Sequence, residues 1–336
     1  MAYADHRPFT TNRMNATDQG ILLRYGDGPA QCDTQGMREA LVFQEDDTYY
    51  LFYDGCTSEG HMACLATSRD FIHWTKQGTI LERGLPGELD AAAVVSPWVY
   101  QESGIWHMFY IGTPNKGPAP DYVPAFPYLT FKATSTRLAG PWIKHKEIVP
   151  FRLRPHTYYS ETASAGYVLS DGQFYIQFIS ATTTNAQGII KRTLGIARTK
   201  DLNGSWDIDP EPLFPIEEQI ENTSLHFEPS SQTWYLFTNH IGVNEAGVEY
   251  TDAIWVYWSK NIYEWNAEHK AIVLDGENCT WSSRCIGLPS IIEIDGKLAI
   301  FYDAPGGDSI SHQKRNIGLA WLTLPLVTPV FNASTT

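Results

Sequence analysis

The sequence is short of charge, of basic residues and of cysteine, and it contains no long apolar run. Charged residues make up 18% of its 336 positions, against about a quarter in ordinary domains. With 43% hydrophobic residues, the chain has the composition of a folded domain and not of a disordered one. Its 24 Lys and Arg face 38 Asp and Glu, a formal charge of −14. Binding a phosphate backbone needs a basic footprint, so nucleic acid is excluded as a partner. No apolar stretch approaches the ~20 residues needed to cross a bilayer, so no membrane-spanning helix is expected. Long helical periodicity is absent throughout.

Cysteine is scarce: Cys32, Cys56, Cys64, Cys279 and Cys285. None stands in a Cys-x-x-Cys pair, so no thiolate zinc site is expected. Cys56 and Cys64 flank a hairpin tip, and Cys279 and Cys285 share a loop. Each pair is a candidate disulfide that leaves Cys32 odd, with free buried thiols as the alternative. The first residues, Met1 to Arg7, lack the apolar core of a signal peptide, so the chain is either cytoplasmic or starts after a removed leader. Asn-x-Ser/Thr sequons at Asn15, Asn203, Asn222, Asn278 and Asn332 are compatible with export. A secreted or periplasmic location is the expectation, with the cytoplasm as the alternative.

What is abundant is aromatic: 11 Trp, 18 Tyr and 15 Phe. These rings recur in one unit, a strand, a short polar turn and an aromatic strand. The aromatic strands are Tyr49-Tyr50-Leu51-Phe52-Tyr53, Trp106-His107-Met108-Phe109-Tyr110, Phe174-Tyr175-Ile176-Gln177-Phe178, Trp234-Tyr235-Leu236-Phe237 and Leu298-Ala299-Ile300-Phe301-Tyr302. They begin about every 60 residues, and turns such as Asp295-Gly296 are hairpin chemistry. A second unit follows each of the first four hairpins: a strand, a Ser/Thr turn and a tryptophan, at Trp74, Trp142, Trp206 and Trp265. The fifth copy keeps the strand, Asn316 to Trp321, and loses the tail. Hairpin plus two further strands makes a four-stranded blade. The expected fold is therefore all-β, one five-bladed β-propeller. Its blades fall at about 30–82, 88–150, 158–214, 219–275 and 280–325, and the segment around Gly20 to Arg24 closes the ring.

First strands of propeller blades line the central channel, so acids preceding each hairpin at a common register are candidates for chemistry. Asp33 and Asp90 both lie sixteen residues before their aromatic strands, and Glu161 and Glu221 both lie thirteen before theirs. Blade five offers Ser282, Ser283 and Arg284 instead. Carboxylates converging on a funnel suit glycosidic bond hydrolysis, where one acts as base toward water and another protonates the leaving oxygen. Crowding raises the pKa of the group that keeps its proton. Sugar rings stack on Trp and Tyr faces, for which Trp98 and Tyr159 are candidates. His226, on a channel-lining strand, His240 and His312 are candidates for binding sugar hydroxyls. Arg38, Arg284 and Arg315 are candidates for pairing with the carboxylates or with a uronate. Residues 113–128, rich in Pro and Gly and carrying Asp121, Tyr122, Phe126 and Tyr128, read as an insertion in blade two that shapes specificity.

The hairpins ending at Tyr53 and Tyr110 and the Thr67-Ser68-Arg69-Asp70-Phe71-Ile72-His73-Trp74 tail resemble the five-bladed propeller glycoside hydrolases, the group that holds families 43 and 117. The resemblance implies an Asp base in blade one, an Asp modulator in blade two and a Glu acid in blade three, roles that fall here on Asp33, Asp90 and Glu161. The usual Asp-Pro of blade one is missing, and Glu39 stands where its Asp would be. The base thus lies between Asp33 and Glu39, with Asp33 favoured by its match to Asp90. The implied activity is hydrolysis of an oligosaccharide or polysaccharide fragment, exo-acting and inverting. A retaining furanosidase and a non-catalytic carbohydrate-binding propeller are the alternatives. No cofactor is required by such chemistry, and a calcium ion in the channel stays open.

Overall fold

The computed structural model describes residues 3, 5–119 and 122–329; Asp121 and the Asn332 sequon lie outside them. Five antiparallel units follow one another along the chain, each ordered from an inner first strand to an outer last one. Blade one runs Gly36–Glu45, Thr48–Thr57, Gly60–Ser68 and Thr75–Leu81. Blade two runs Ala93–Glu102, Ile105–Thr113, Leu129–Ser135 and Ile143–Lys144. A parallel bridge between His61 and Ala93 joins these two blades into one sheet. In blade three the inner strand is broken into Thr162–Ser164 and Val168–Ser170, both paired with Tyr175–Thr184. Blade four is built on Ile220–Glu228 and Thr233–Val243. In blade five Ser290–Ile294, Lys297–Ala304 and Asn316–Thr323 are completed by the N-terminal strand Thr17–Leu23. The N-terminal segment thus supplies the outer strand of blade five.

Local chemistry explains the hairpins. Ser103-Gly104 and Asp295-Gly296 both hold positive φ, the two-residue turn whose twist matches that of paired strands. Tryptophan explains how the blades pack. The indole N–H of Trp74, Trp142 and Trp265 returns to a carbonyl three or four residues earlier, at Phe71, Leu138 and Ile262. Each tail ring then meets, edge to face, a phenylalanine in the second strand of the preceding blade. Trp74 meets Phe301 at 5.9 Å, Trp142 meets Phe52 at 6.4 Å, Trp206 meets Phe109 at 5.4 Å and Trp265 meets Phe178 at 6.4 Å. The hydrophobic core accordingly lies between blades, in clusters that each draw side chains from adjacent ones.

Candidate active site

Inner strands carry a register shift where they approach the axis. It falls between Arg38 and Leu41, between Val95 and Trp98, and between Glu221 and Ser224. At each bulge one residue adopts the left-handed region: Glu39 at φ 51°, Ser96 at 49° and Asn222 at 68°. Such a backbone turns its N–H away from the ladder, and a side chain of the preceding blade accepts it. Asp303 Oδ2 takes the Glu39 N–H at 3.0 Å, Asp54 Oδ1 takes that of Ser96 at 2.8 Å, and Ser180 Oγ takes that of Asn222 at 2.9 Å. The bulges aim these residues at a cavity of about 490 Å³ on the axis.

Three carboxylates line this cavity with Asp54: Glu39 from blade one, Glu221 from blade four and Glu249 from the loop strand Glu249–Thr251. Glu39 Oε2 accepts the Ser96 hydroxyl in a short hydrogen bond, and Arg38 stands 3.4 Å from Oε1. Arg192 bridges the other two, 3.1 Å from Glu221 Oε2 and also bonded to Glu249. Burial raises the pKa of Glu221; Arg192 opposes this, and the charges of Glu249 and Glu39 reinforce it. Asp54 is pushed well above the usual carboxylate range by burial, again with Glu39 adding to it. His312 is lowered to about 3 by burial beside Arg38 and Arg315, and its Nε2 lies 3.2 Å from the Glu249 carbonyl oxygen. The rim comes from the blade-two insertion through Val123, Phe126 and Tyr128, the last with its phenol pushed up to about 12 by burial. Arg192 stands 5.6 Å over the Phe126 ring.

Of the expected site residues, Arg38, Glu39, Trp98, Glu221 and His312 line this cavity, and Arg315 reaches its edge through a 2.7 Å ion pair with Asp303. The others do not. Asp33 is buried against Lys76 at 2.6 Å and Tyr53 at 3.2 Å, and Asp90 against Lys144 at 2.6 Å and Tyr110 at 3.3 Å. Their matching register reflects one Asp–Tyr–Lys brace repeated in two blades, so the assignment of Asp33 as base and Asp90 as modulator is corrected. Glu161 is exposed, and its neighbour Thr162 faces the cavity instead, since adjacent strand residues point to opposite faces. Tyr159 packs in the core against Tyr158. His226 is buried 3.7 Å from Glu228, and His240 stacks on Trp255 and bonds Tyr257 at 2.7 Å. Arg284 is exposed away from the cavity. All five cysteines are free.

Sequence reasoning missed Asp54, Arg192, Glu249 and Asp303. A signal existed for two of them, since Tyr53-Asp54 and Tyr302-Asp303 end their aromatic strands alike. Among the described residues no group of three or more His, Cys, Asp or Glu is placed to hold a metal ion.

The fold and this axial cavity define a β-propeller with an ionisable centre on its axis. Solved structures share the fold over nearly the whole chain. A structure described as a complex of BT0996 with RGII matches at TM-score 0.71 and 17% identity, covering 94% of this chain and 96% of that one. The catalytic domain of Coprinopsis cinerea GH62 alpha-L-arabinofuranosidase matches at 0.62 and 14%, covering 93% and 98%. An endo-arabinase from Bacteroides thetaiotaomicron matches at 0.60 and 14%, covering 93% and 100%. No family model and no curated protein sequence matches the chain. At these identities the likeness establishes the propeller fold.

Proposed function

We propose that this protein is a glycoside hydrolase in which Glu221 is the general acid and Glu39 the opposing carboxylate. The observation that carries the reading is the pairing of these two glutamates, from blades one and four, in one axial cavity, with burial raising the Glu221 pKa. Protonated Glu221 donates to the leaving glycosidic oxygen while Glu39 takes a proton from the attacking water, which inverts the anomeric centre. Ser96 and Arg38 fix the Glu39 carboxylate for that role. A cavity of about 490 Å³ is of small-ligand size and favours a terminal sugar, hence exo action. The neighbours named as arabinofuranosidase and endo-arabinase make L-arabinofuranosides the first substrates to try. Export fits an enzyme that meets polysaccharide fragments.

The test is a product-resolved screen of oligosaccharides and aryl glycosides, furanosides included. Hydrolysis of at least one is expected, reduced about 10²–10⁴-fold in Glu39→Gln and in Glu221→Gln and retained in Asp33→Asn. Turnover that survives both glutamate changes, or binding with no hydrolysis of any glycoside, would overturn the reading. Retention of configuration would reassign Glu39 as nucleophile.

A further inference from the structure

The cysteine pair that the fold brings together is neither of the pairs suggested by spacing. Cys56 and Cys64 lie on adjacent strands but three ladder positions apart, since Cys56 is opposite His61 and Cys64 opposite Tyr53. That is about 10 Å along the strands, beyond the reach of a disulfide. The Cys56 thiol instead meets His61 Nδ1 at 3.7 Å. Cys279 and Cys285 turn to Tyr302 Oη at 3.5 Å and to Arg315 Nη2 at 3.1 Å.

Cys32, the odd cysteine of the sequence, lies against Cys64. The Cys64 Sγ is 3.9 Å from the Cys32 carbonyl oxygen, and the Cys32 Sγ lies 3.5 Å from the hydroxyl of Tyr53, the residue opposite Cys64 in the ladder. Gly55 makes the approach possible: a Cβ there would stand 2.3 Å from the Cys32 oxygen and 2.6 Å from Cys64 Sγ. Cys32 sits in the segment between the ring-closing strand Thr17–Leu23 and the first strand of blade one, Gly36–Glu45. Cys64 sits in that blade's third strand, Gly60–Ser68. A bond between them ties the two sides of the ring closure together.

We propose that Cys32 and Cys64 are a disulfide site, oxidised by a small-molecule disulfide such as oxidised glutathione while the chain folds, and that the bond clips the closure of the propeller. Cys32, in the segment that docks last as the ring closes, attacks the glutathione disulfide first, as its thiolate. It displaces one glutathione thiolate and forms a mixed disulfide. Cys64 then loses its proton to solvent, attacks the Cys32 sulfur and expels the second glutathione. Two protein thiols are oxidised and one glutathione disulfide is reduced to two thiols. The folded pair is buried, at 3% and 0% exposure, so exchange precedes the sealing of the loop.

The protein is to be reduced and unfolded in urea, refolded into a mixture of reduced and oxidised glutathione, alkylated and digested without reductant. Mass spectrometry is expected to find the Cys32 and Cys64 peptides joined, with Cys56, Cys279 and Cys285 alkylated and the thiol titre reduced from five to three. Cys56→Ser is expected to leave that bond in place, and dithiothreitol during refolding to abolish it. Recovery of Cys32 and Cys64 as alkylated thiols, or of either one joined to another cysteine, would overturn the proposal. The wild-type digest decides this even where a variant fails to fold, and the outcome is independent of whether the protein cleaves glycosides.

Discussion

Glu221 and Arg192 show how one contact sets the chemistry of the cavity. Burial and the charges of Glu249 and Glu39 raise the pKa of Glu221, and Arg192 is the foremost influence that opposes the rise. An acid catalyst works only while protonated, so activity falls as pH rises through its pKa. In Arg192→Met the restraint is removed and Glu249 loses its partner, both of which raise the Glu221 pKa further. The basic limb of the kcat/KM profile is therefore expected to move to higher pH; a shift to lower pH would remove Glu221 from the acid role. The acids that sequence register singled out behave differently. Asp33 is 1% exposed, and the Lys76 side chain it neutralises is 5% exposed. Asp33→Ala leaves that ammonium buried and unpaired, with an expected cost of about 3–5 kcal/mol in urea unfolding and no direct effect on the cavity.

At the scale of elements, the repeated unit is the tail tryptophan on the phenylalanine of the preceding blade. Blade five lost its tail, and the strand Thr17–Leu23 completes that blade instead. Trp206, 4% exposed, touches both Phe109 and Phe151. Trp206→Ala is expected to destabilise the chain by about 3–5 kcal/mol, measured by the urea midpoint at unchanged slope. These tails and the aromatic hairpins were fully legible in the sequence, because packing between blades demands the same residue at the same place each time. The bulges were not. A one-residue shift in an inner strand reverses which side chains face the axis; Pro97 after Ser96 marks the break in blade two, but Glu39 carries no such signature.

The whole molecule carries a pH dependence of its own. Lys132, in the third strand of blade two, is fully buried between His107, the Leu202 carbonyl of blade three and the face of Phe109. Burial lowers its pKa to about 7, with Asp201 opposing, and His107 beside it is lowered to about 4 and stays neutral. Above pH 7 the folded protein has lost this proton while the unfolded chain keeps it to about 10.5. Stability from this group therefore rises from about pH 7 toward about 10. Beyond that the buried tyrosines act in the opposite sense, because Tyr53, Tyr110 and Tyr302 are held protonated in the fold and ionise on unfolding. Lys132→Met is expected to flatten the rise in unfolding free energy between about pH 7 and 10, leaving the decline above it intact; an unchanged slope would refute the assignment.

The sequence by itself determined the architecture: about 60 residues per repeat, a hairpin, a tail tryptophan and an N-terminal strand to finish the last blade. It did so because every blade buries the same faces against its neighbours, and repetition makes that pattern readable. The tertiary structure alone decided which polar residues meet. Asp33 and Asp90 recur because they brace the sheets, and of the register pair Glu161 and Glu221 only Glu221 faces the cavity, where it meets Glu39, Arg192 and Glu249 from other blades and loops. Cys32 and Cys64 likewise meet only across the ring closure. Register in the sequence could nominate residues such as Glu221, but which nominees face the axis, and that Arg192 and Glu249 join them, is set by bulges and loops that have no period.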